Sequence, residues 1–518
     1  MLDPKTLSEY NEVRQTKNKS IFCHAPFTNV NFEQNGNASA CCYSRRHVLG
    51  TYPGDSIDEI WFGKKAEELR SMMRRNALPG ACDICLDQFR SRNFGGLRAR
   101  YFDHLAPEDY GEPADGEGGR AQVYPRVMEF ETSNVCNLEC TMCKGYYSSA
   151  IRRNREHLPP LHDPYDDGFV AQLESYVPHL SEAHFLGGEP FLVDIYYRIW
   201  ELIARSNPGA GVTIVTNGTI LHERVKRALE PLNATINISI DALDPANYER
   251  IRVNARFDKL MENFRFFRGY VARKNTGMAI NVCPMQQNWR ELPHFLEFCN
   301  RHDIGLFFNT VYYPEDQALG FLEPSELQDV VSYLQDAPVP SGTPTERRNG
   351  ANYRDLIHQI ASFRDRAAPS DFDAFSEGDL GKSPWSLRAA EGNRAELVFP
   401  SAESNLIRIT IHEASTREPW DIQLNRVPLL VQANHHYIVR FRARASKPRE
   451  LCYGIVEAEA RWDRLGRYVT VPLTDDWQAF QLRFGPIREA GNARLHFDLG
   501  GNDTAVELAD VSLRYLPV

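Results

Sequence analysis

Eleven cysteines carry most of the chemistry visible in this chain, and their placement says more than their number. Eight of them (Cys23, Cys41, Cys42, Cys82, Cys85, Cys136, Cys140 and Cys143) fall in the first 143 residues, while Cys283, Cys299 and Cys452 stand alone. An odd, clustered set in 518 residues is the wrong pattern for a disulfide scaffold, and clustered thiols in a reducing compartment read first as metal ligands. The sharpest group is Cys136-Asn137-Leu138-Glu139-Cys140-Thr141-Met142-Cys143. A loop of this kind can wrap an iron–sulfur cube with one thiolate on each of three irons, leaving the fourth iron open. The same thiols with a distant fourth ligand would make a structural zinc site. Cys23, Cys41 and the turn Cys82-Asp83-Ile84-Cys85 form a second set with the same two readings.

The elements that must position these residues follow from periodicity. Short apolar strands are expected at Val127–Thr132, Glu182–Leu186, Val212–Thr216, Thr235–Ile240, Met278–Cys283 and Gly305–Thr310. Amphipathic helices such as Phe169–Leu180, Ile195–Ser206 and His222–Leu229 lie between them. Six strand–helix repeats imply a parallel sheet with covering helices, too few for a closed eight-stranded barrel, so the expectation is an α/β partial (β/α)6 barrel. The three-cysteine loop then follows the first strand, at the edge where parallel α/β folds collect ligands. Beyond about residue 385 the period changes to two, as in Ile407–Ile411, Tyr437–Arg444, Phe480–Phe484 and Leu495–Leu499, which is the pattern of a β-sandwich. The expected layout is a small N-terminal cysteine-bearing domain (1–105), a linker (106–125), the barrel (126–320), a helical extension (321–366), a second linker (367–384) and the all-β sandwich (385–518).

Composition sets bounds on function. Lys and Arg number 59 against 69 Asp and Glu, a formal net charge of −10, so no general basic footprint invites nucleic acid or an anionic membrane. No apolar run reaches the ~18 residues that would span a bilayer, and the first residues lack a signal-peptide core, so a cytoplasmic protein is expected.

The Cys136–Cys143 loop resembles the hallmark C-x-x-x-C-x-x-C of the radical S-adenosylmethionine (radical SAM) superfamily. The likeness continues in Leu186-Gly187-Gly188-Glu189-Pro190, Thr216-Asn217-Gly218-Thr219, Ile238-Ser239-Ile240-Asp241-Ala242, Tyr248–Arg252 and Phe257–Lys259. The resemblance implies a 4Fe–4S cluster on Cys136, Cys140 and Cys143, with S-adenosylmethionine held near Met142, Gly187, Gly188, Glu189, Asn217 and Ser239. It further implies reductive cleavage of S-adenosylmethionine to a 5′-deoxyadenosyl radical that abstracts a substrate hydrogen, driven by a flavodoxin- or ferredoxin-type reductant. The N-terminal section, with Ser56–Trp61 and Glu68–Arg70 between its cysteines, resembles SPASM and twitch domains. That implies a second, auxiliary 4Fe–4S cluster on Cys23, Cys41, Cys82 and Cys85. Its place before the barrel rather than after it is unusual. Cys41 and Cys42 both remain candidates, and the spacing from Gly36 favours Cys41.

Residues 385–518 resemble carbohydrate-binding, galactose-binding-like jelly rolls, with Trp420, Trp462, Tyr453 and Tyr468 as candidate sugar-stacking rings. Two substrate classes are expected, a carbohydrate or a peptide. A saccharide predicts stacking aromatics on one face of the sandwich; a peptide predicts an exposed strand edge or groove in the N-terminal domain. The reaction would be oxidation, epimerisation or crosslinking. Cys283, ending the fifth strand, is a candidate hydrogen-atom donor whose use would favour epimerisation. The non-enzymatic alternative is a zinc-stabilised glycan-binding protein.

Overall fold

In the barrel strands, large apolar residues alternate with polar ones, and that alternation decides which face meets the covering helices. The computed structural model describes residues 2–106, 123–312, 314, 316–365, 385–400, 406–414, 418–431, 435–458, 464–484 and 490–517. It divides into two units, residues 1–362 and 363–518. Most of both expected linkers lies outside the described residues.

The first unit is built on one nine-stranded sheet in the order β3-β2-β1-β4-β5-β6-β7-β8-β9. Its strands are β1 (Asn29–Glu33), β2 (Asn37–Ser39), β3 (Gly50–Thr51), β4 (Val127–Glu131), β5 (Glu182–Phe185), β6 (Gly211–Thr216), β7 (Asn233–Ser239), β8 (Met278–Val282) and β9 (Gly305–Phe308). Strands β4 to β9 are the six expected parallel strands, each within two residues of its expected bounds at either end. The unforeseen feature is β1, which pairs parallel with β4 and carries β2 and β3 with it. The N-terminal cysteine section therefore shares the barrel's sheet.

Phe32 of β1, Phe130 of β4 and Phe185 of β5 stack in register on the outer face, with centroids 6.0 and 5.0 Å apart. Phe169 crosses Phe32 edge-on at 5.0 Å. It comes from the helix Asp167–Leu173, which Asp166 caps by accepting from the Phe169 N–H. The expected helix Phe169–Leu180 stops at Leu173 and gives way to a 3-10 turn at Val177–His179, where Pro178 interrupts the pattern. Helix Asp194–Ser206 buries Ile195, Tyr196, Ile199, Trp200 and Ile203 at the 3–4 spacing of a core-facing stripe.

The inner face is polar. One register row runs Asn31, Glu129, His184, Thr213, Thr235 across β1, β4, β5, β6 and β7. Glu33, Glu131, Asn237, Ser239 and Asn281 continue that face toward the strand C-termini. Helices Pro324–Gln335 and Pro344–Asp365 make up the helical extension.

The second unit is an antiparallel sandwich of two five-stranded sheets, as expected. Its strands are β10 (Trp385–Ala389), β11 (Arg394–Val398), β12 (Leu406–Glu413), β13 (Ile422–Val431), β14 (His435–Ala445), β15 (Arg449–Glu457), β16 (Arg464–Leu473), β17 (Gln478–Phe484), β18 (Ala490–Asp498) and β19 (Val506–Pro517). The sheets run β10-β13-β18-β15-β16 and β11-β12-β19-β14-β17. Between them lie Ile409, Leu424, Val439, Phe441, Leu495 and Phe497. Tyr453 belongs to this core, 1% exposed with Phe441 edge-on at 4.7 Å, so it cannot stack on a sugar. Trp420 is exposed, Tyr468 is half-buried with Arg464 over its ring, and Trp462 lies outside the described residues. No helix among the described residues is long and apolar enough to cross a membrane.

Candidate functional site

The chain leaves β4 at Glu131 and forms the three-cysteine loop, which is fixed from two sides. From the helix Ser149–Asn154, Ser149 N–H donates to the Asn134 carbonyl at 2.7 Å, Cys136 N–H donates to Ser149 Oγ at 3.1 Å, and Ser148 Oγ donates to the Leu138 carbonyl at 2.7 Å. From the end of the helix Pro245–Ile251, Glu139 N–H donates to Val253 O and Thr141 N–H to Ile251 O. The sulfurs stay out of these bonds, and one cation lies beside Cys140. Burial pushes the Cys136 thiol up to about 11 and Cys143 up to about 12, each raised further by the neighbouring cysteines of the loop.

That cation is Arg252, which the sequence reading left without a role. Its guanidinium ion-pairs Asp241 at 2.8 Å, and its Nη1 lies 3.9 Å from Cys140 Sγ. Asp241 ends the β7 segment and accepts from Cys283 N–H at 2.8 Å. The Cys283 thiol is raised well above its ordinary value by burial and then by Asp241, with Cys140 and Cys143 also acting on it. Cys283 therefore sits at the same mouth as the three-cysteine loop. A buried Arg–Asp pair beside thiols has a legible source, since both residues close the segments after β7 that the motif reading had already marked.

The Gly-Gly-Glu-Pro loop packs against the back of the cysteine loop. Gly187 and Gly188 take φ of +79° and +55°, and a Cβ on Gly188 would meet the Val135 carbonyl oxygen at 2.3 Å. The glycines are thus required by the approach of one loop to the other. Glu189 N–H donates to that same carbonyl at 2.8 Å. The Glu189 side chain is fully buried, and its carboxylate accepts from Thr216 Oγ1 (2.8 Å), Asn217 N–H (2.7 Å) and Phe191 N–H (3.2 Å). Three acceptor positions are filled, and a carboxylate has about four. Asn217 reaches back over the cysteine loop, donating to Asn137 Oδ1 at 3.0 Å with Cys136 Sγ 4.0 Å away. Ser239 is half-buried on the inner face at the end of β7, and Met142 is half-buried within the loop. A cavity of 260 Å³ is lined by Gln34, Ser133, Val135, Arg152 and His162 among others, and its lining includes neither Glu189 nor Arg252.

The second set gathers around Cys23. This thiol packs against the apolar clusters that contain Cys85 and Cys41, and burial followed by the charge of Cys41 raises it to about 12. Cys82 and Cys85 are pushed up by burial and then by Cys41, with Cys23 acting on each as well. Cys42 faces elsewhere: Glu129 Oε2 accepts from its N–H at 3.2 Å, and after burial the strongest influences on its thiol are Glu129 and Arg98.

All eleven cysteines are free thiols, and no group of three or more His, Cys, Asp or Glu among the described residues is placed to share a single metal ion. Both sets consist of thiols alone, and in an iron–sulfur cube each thiolate takes its own iron.

Two family models match the chain: the Radical SAM superfamily over residues 130–299 and SPASM, an iron–sulfur cluster-binding domain, over residues 23–86. Curated relatives include the GTP 3′,8-cyclase of Chlorobaculum tepidum, 27% identical over 198 residues that cover 37% of this chain and 54% of that protein. Another is the probable GTP 3′,8-cyclase of Methanocaldococcus jannaschii, 24% identical, covering 36% of this chain and 58% of that protein. The chain thus spans about half the length of the curated relatives it matches. Among solved structures, SuiB of Streptococcus suis bound to S-adenosylmethionine is 16% identical, covering 54% of this chain and 59% of that one with a TM-score of 0.31. A CBM4 structure is 25% identical, covering 27% of this chain and 93% of that one with a TM-score of 0.23. The chain carries a radical SAM domain and a SPASM iron–sulfur domain, and its cofactors are 4Fe–4S clusters and S-adenosylmethionine.

Proposed function

We propose that this radical SAM enzyme oxidises a hydroxyl-bearing carbon of a carbohydrate-containing substrate. The observation that carries the reading is the polar inner face of the sheet. Barrel interiors of parallel strands are normally filled by Val, Ile and Leu, yet here one row runs Asn31, Glu129, His184, Thr213, Thr235. A polar, hydrogen-bonding interior suits a hydroxyl-rich substrate. The sandwich adds support. Gln423, Asn425, Arg494, His496 and Asp498 alternate with core residues on β13 and β18, and Gln423 donates to Asp498 at 2.8 Å. A peptide is less well served, because the edge strand β3 has only two residues to offer an added strand.

In this reading Cys136, Cys140 and Cys143 hold the catalytic cluster, and Cys23, Cys41, Cys82 and Cys85 hold the auxiliary one. The bound cluster and S-adenosylmethionine supply a hydrogen-abstracting radical. Glu189 has one acceptor position left for the ammonium of S-adenosylmethionine; Gly187, Gly188, Asn217, Ser239 and Met142 line its place. Arg252, neutralised on one side by Asp241, offsets negative charge accumulating at Cys140. A flavodoxin- or ferredoxin-type reductant delivers the electron in the cytoplasm, where free thiols persist.

Cys283 supports a second reading, epimerisation, since a protonated thiol at the mouth can return a hydrogen atom to the substrate carbon. The test is anaerobic incubation of reduced, cluster-loaded enzyme with neutral, amino and acidic oligosaccharides in D2O. Oxidation predicts a product two mass units lighter with no carbon-bound deuterium, equimolar with 5′-deoxyadenosine. A mass gain of one unit that disappears in Cys283→Ala would replace oxidation by epimerisation. Modification of peptides and of no saccharide would overturn the substrate class.

A further inference from the structure

The barrel interior holds a pair of carboxylates that the reading above does not use. Glu33 ends β1 and Glu131 ends β4, and they are partners in the parallel register, so both side chains leave one face at one level. They are 3% and 2% exposed, and each keeps an Oε1 atom buried without a hydrogen-bond partner. Arg45 ion-pairs Oε2 of Glu131 and lies over the Tyr147 ring at 5.1 Å. Tyr146 O–H donates to Oε2 of Glu33 at 3.4 Å, and its ring meets Tyr147 edge-on at 5.0 Å. Both tyrosines are half-buried, so each keeps part of its surface accessible.

In sequence, the residues around the pair stand close to both cysteine sets. Glu131 stands five residues before Cys136, Tyr146 three after Cys143 and Arg45 four after Cys41. Two neighbouring buried carboxyls beside one guanidinium do not both ionise readily, because burial and like charge each favour keeping a proton.

We propose that Glu33 and Glu131 form the proton-accepting pair of this active site, taking a substrate hydroxyl proton through Tyr146. This rests on the oxidation reading. Turning a carbinol into a carbonyl removes the C–H hydrogen as an atom to the radical derived from S-adenosylmethionine. The O–H bond then breaks as the C=O bond closes. Its proton passes to Tyr146 Oη while the Tyr146 proton moves to Glu33, and the remaining electron goes to the auxiliary 4Fe–4S cluster. Burial pushes Glu33 up to about 7, with Arg45 opposing and Glu131 adding to the rise. Glu131 is also raised, by burial against Arg45. The other titratable or charged groups facing the pair are Tyr147, Tyr165 (whose O–H donates to the Glu33 carbonyl at 2.6 Å), Tyr196, Cys42, Glu129 and Arg98.

The test is an infrared titration of the full chain labelled with 13C-glutamate, comparing wild type with E33Q, E131Q and Y146F. Beside the band of Glu189, which burial also pushes up to about 7, wild type should show a second carboxyl band that deprotonates at about pH 7, absent from E33Q, shifted to lower pH in E131Q and kept in Y146F. With a saccharide that wild type oxidises, the carbonyl product per 5′-deoxyadenosine should fall about 10²-fold or more in E33Q and in Y146F. An E33Q variant that loses no carboxyl band, or one with the wild-type product ratio, would overturn the pair. Wild type that cleaves S-adenosylmethionine yet oxidises no saccharide would instead sink the oxidation reading, and the infrared result would still decide whether the pair holds its proton.

Discussion

At the scale of single residues, the adjacent thiols Cys41 and Cys42 give the cleanest contrast. Both thiols feel Glu129 and Arg98, but Cys41 acts on Cys23, Cys82 and Cys85, and Cys42 is not among the influences on any of the three. Cys41→Ser should therefore lose about four irons and four sulfides per chain, while Cys42→Ser should keep them. Iron and sulfide analysis of the two anaerobically purified variants checks this, and equal losses would mean that the assignment is wrong. Because the thiols are raised by burial and must ionise to bind, cluster uptake should release protons and slow as pH falls. Stopped-flow reconstitution with a pH indicator reads that release directly. The cysteine motifs were fully legible in the sequence because each ligand set is short and local. Arg252, Glu33 and Glu131 were not, because an isolated charged residue announces nothing until the strand register brings its partner beside it.

At the scale of elements, the two loops over the β4 and β5 ends behave as one piece. Gly188→Ala would force a Cβ to within 2.3 Å of the Val135 carbonyl at a φ of +55°. Both the close approach and the left-handed backbone oppose the change, which should cost about 1–3 kcal/mol. Thermal denaturation should show that loss, and iron analysis should show the Cys136–Cys143 cluster going with it while the N-terminal set stays loaded. A variant with wild-type melting and iron would contradict the packing argument. The strands β4 to β9 could be read from their apolar runs, since burial on the helix side imposes Val, Ile and Phe whatever the other face does. Strand β1 escaped because Asn29-Val30-Asn31-Phe32-Glu33 offers only two apolar side chains, and its polar half is buried in the barrel interior instead of facing water. The sandwich was legible as a class from its period of two. The role of Tyr453 was not, because a ring that fills a core and a ring that stacks on a ligand look alike in sequence.

At the scale of the whole molecule, the shared sheet ties the N-terminal cysteine section to the barrel, and the sandwich is a separate unit. Calorimetry should resolve two transitions, with cysteine substitutions at either set moving only the first. The second transition should carry the signature of His496, which burial and nearby arginines hold down to about 3. A depressed histidine contributes stability that is present above its ordinary value of about 6.5 and is lost as pH falls toward 3. His496→Gln should therefore narrow the gap between the melting temperatures of the second transition at neutral and acid pH. Asp498 beside it, raised to about 6 by burial, works in the opposite sense but is common to both proteins. The central claim is that one chain holds two iron–sulfur cubes on two separate cysteine sets. The most direct measurement is iron and sulfide content with the visible spectrum of anaerobically purified wild type beside the Cys136→Ala/Cys140→Ala/Cys143→Ala variant. About eight irons falling to about four is the predicted result. Colourless, zinc-loaded wild type that takes up neither iron nor sulfide would contradict it.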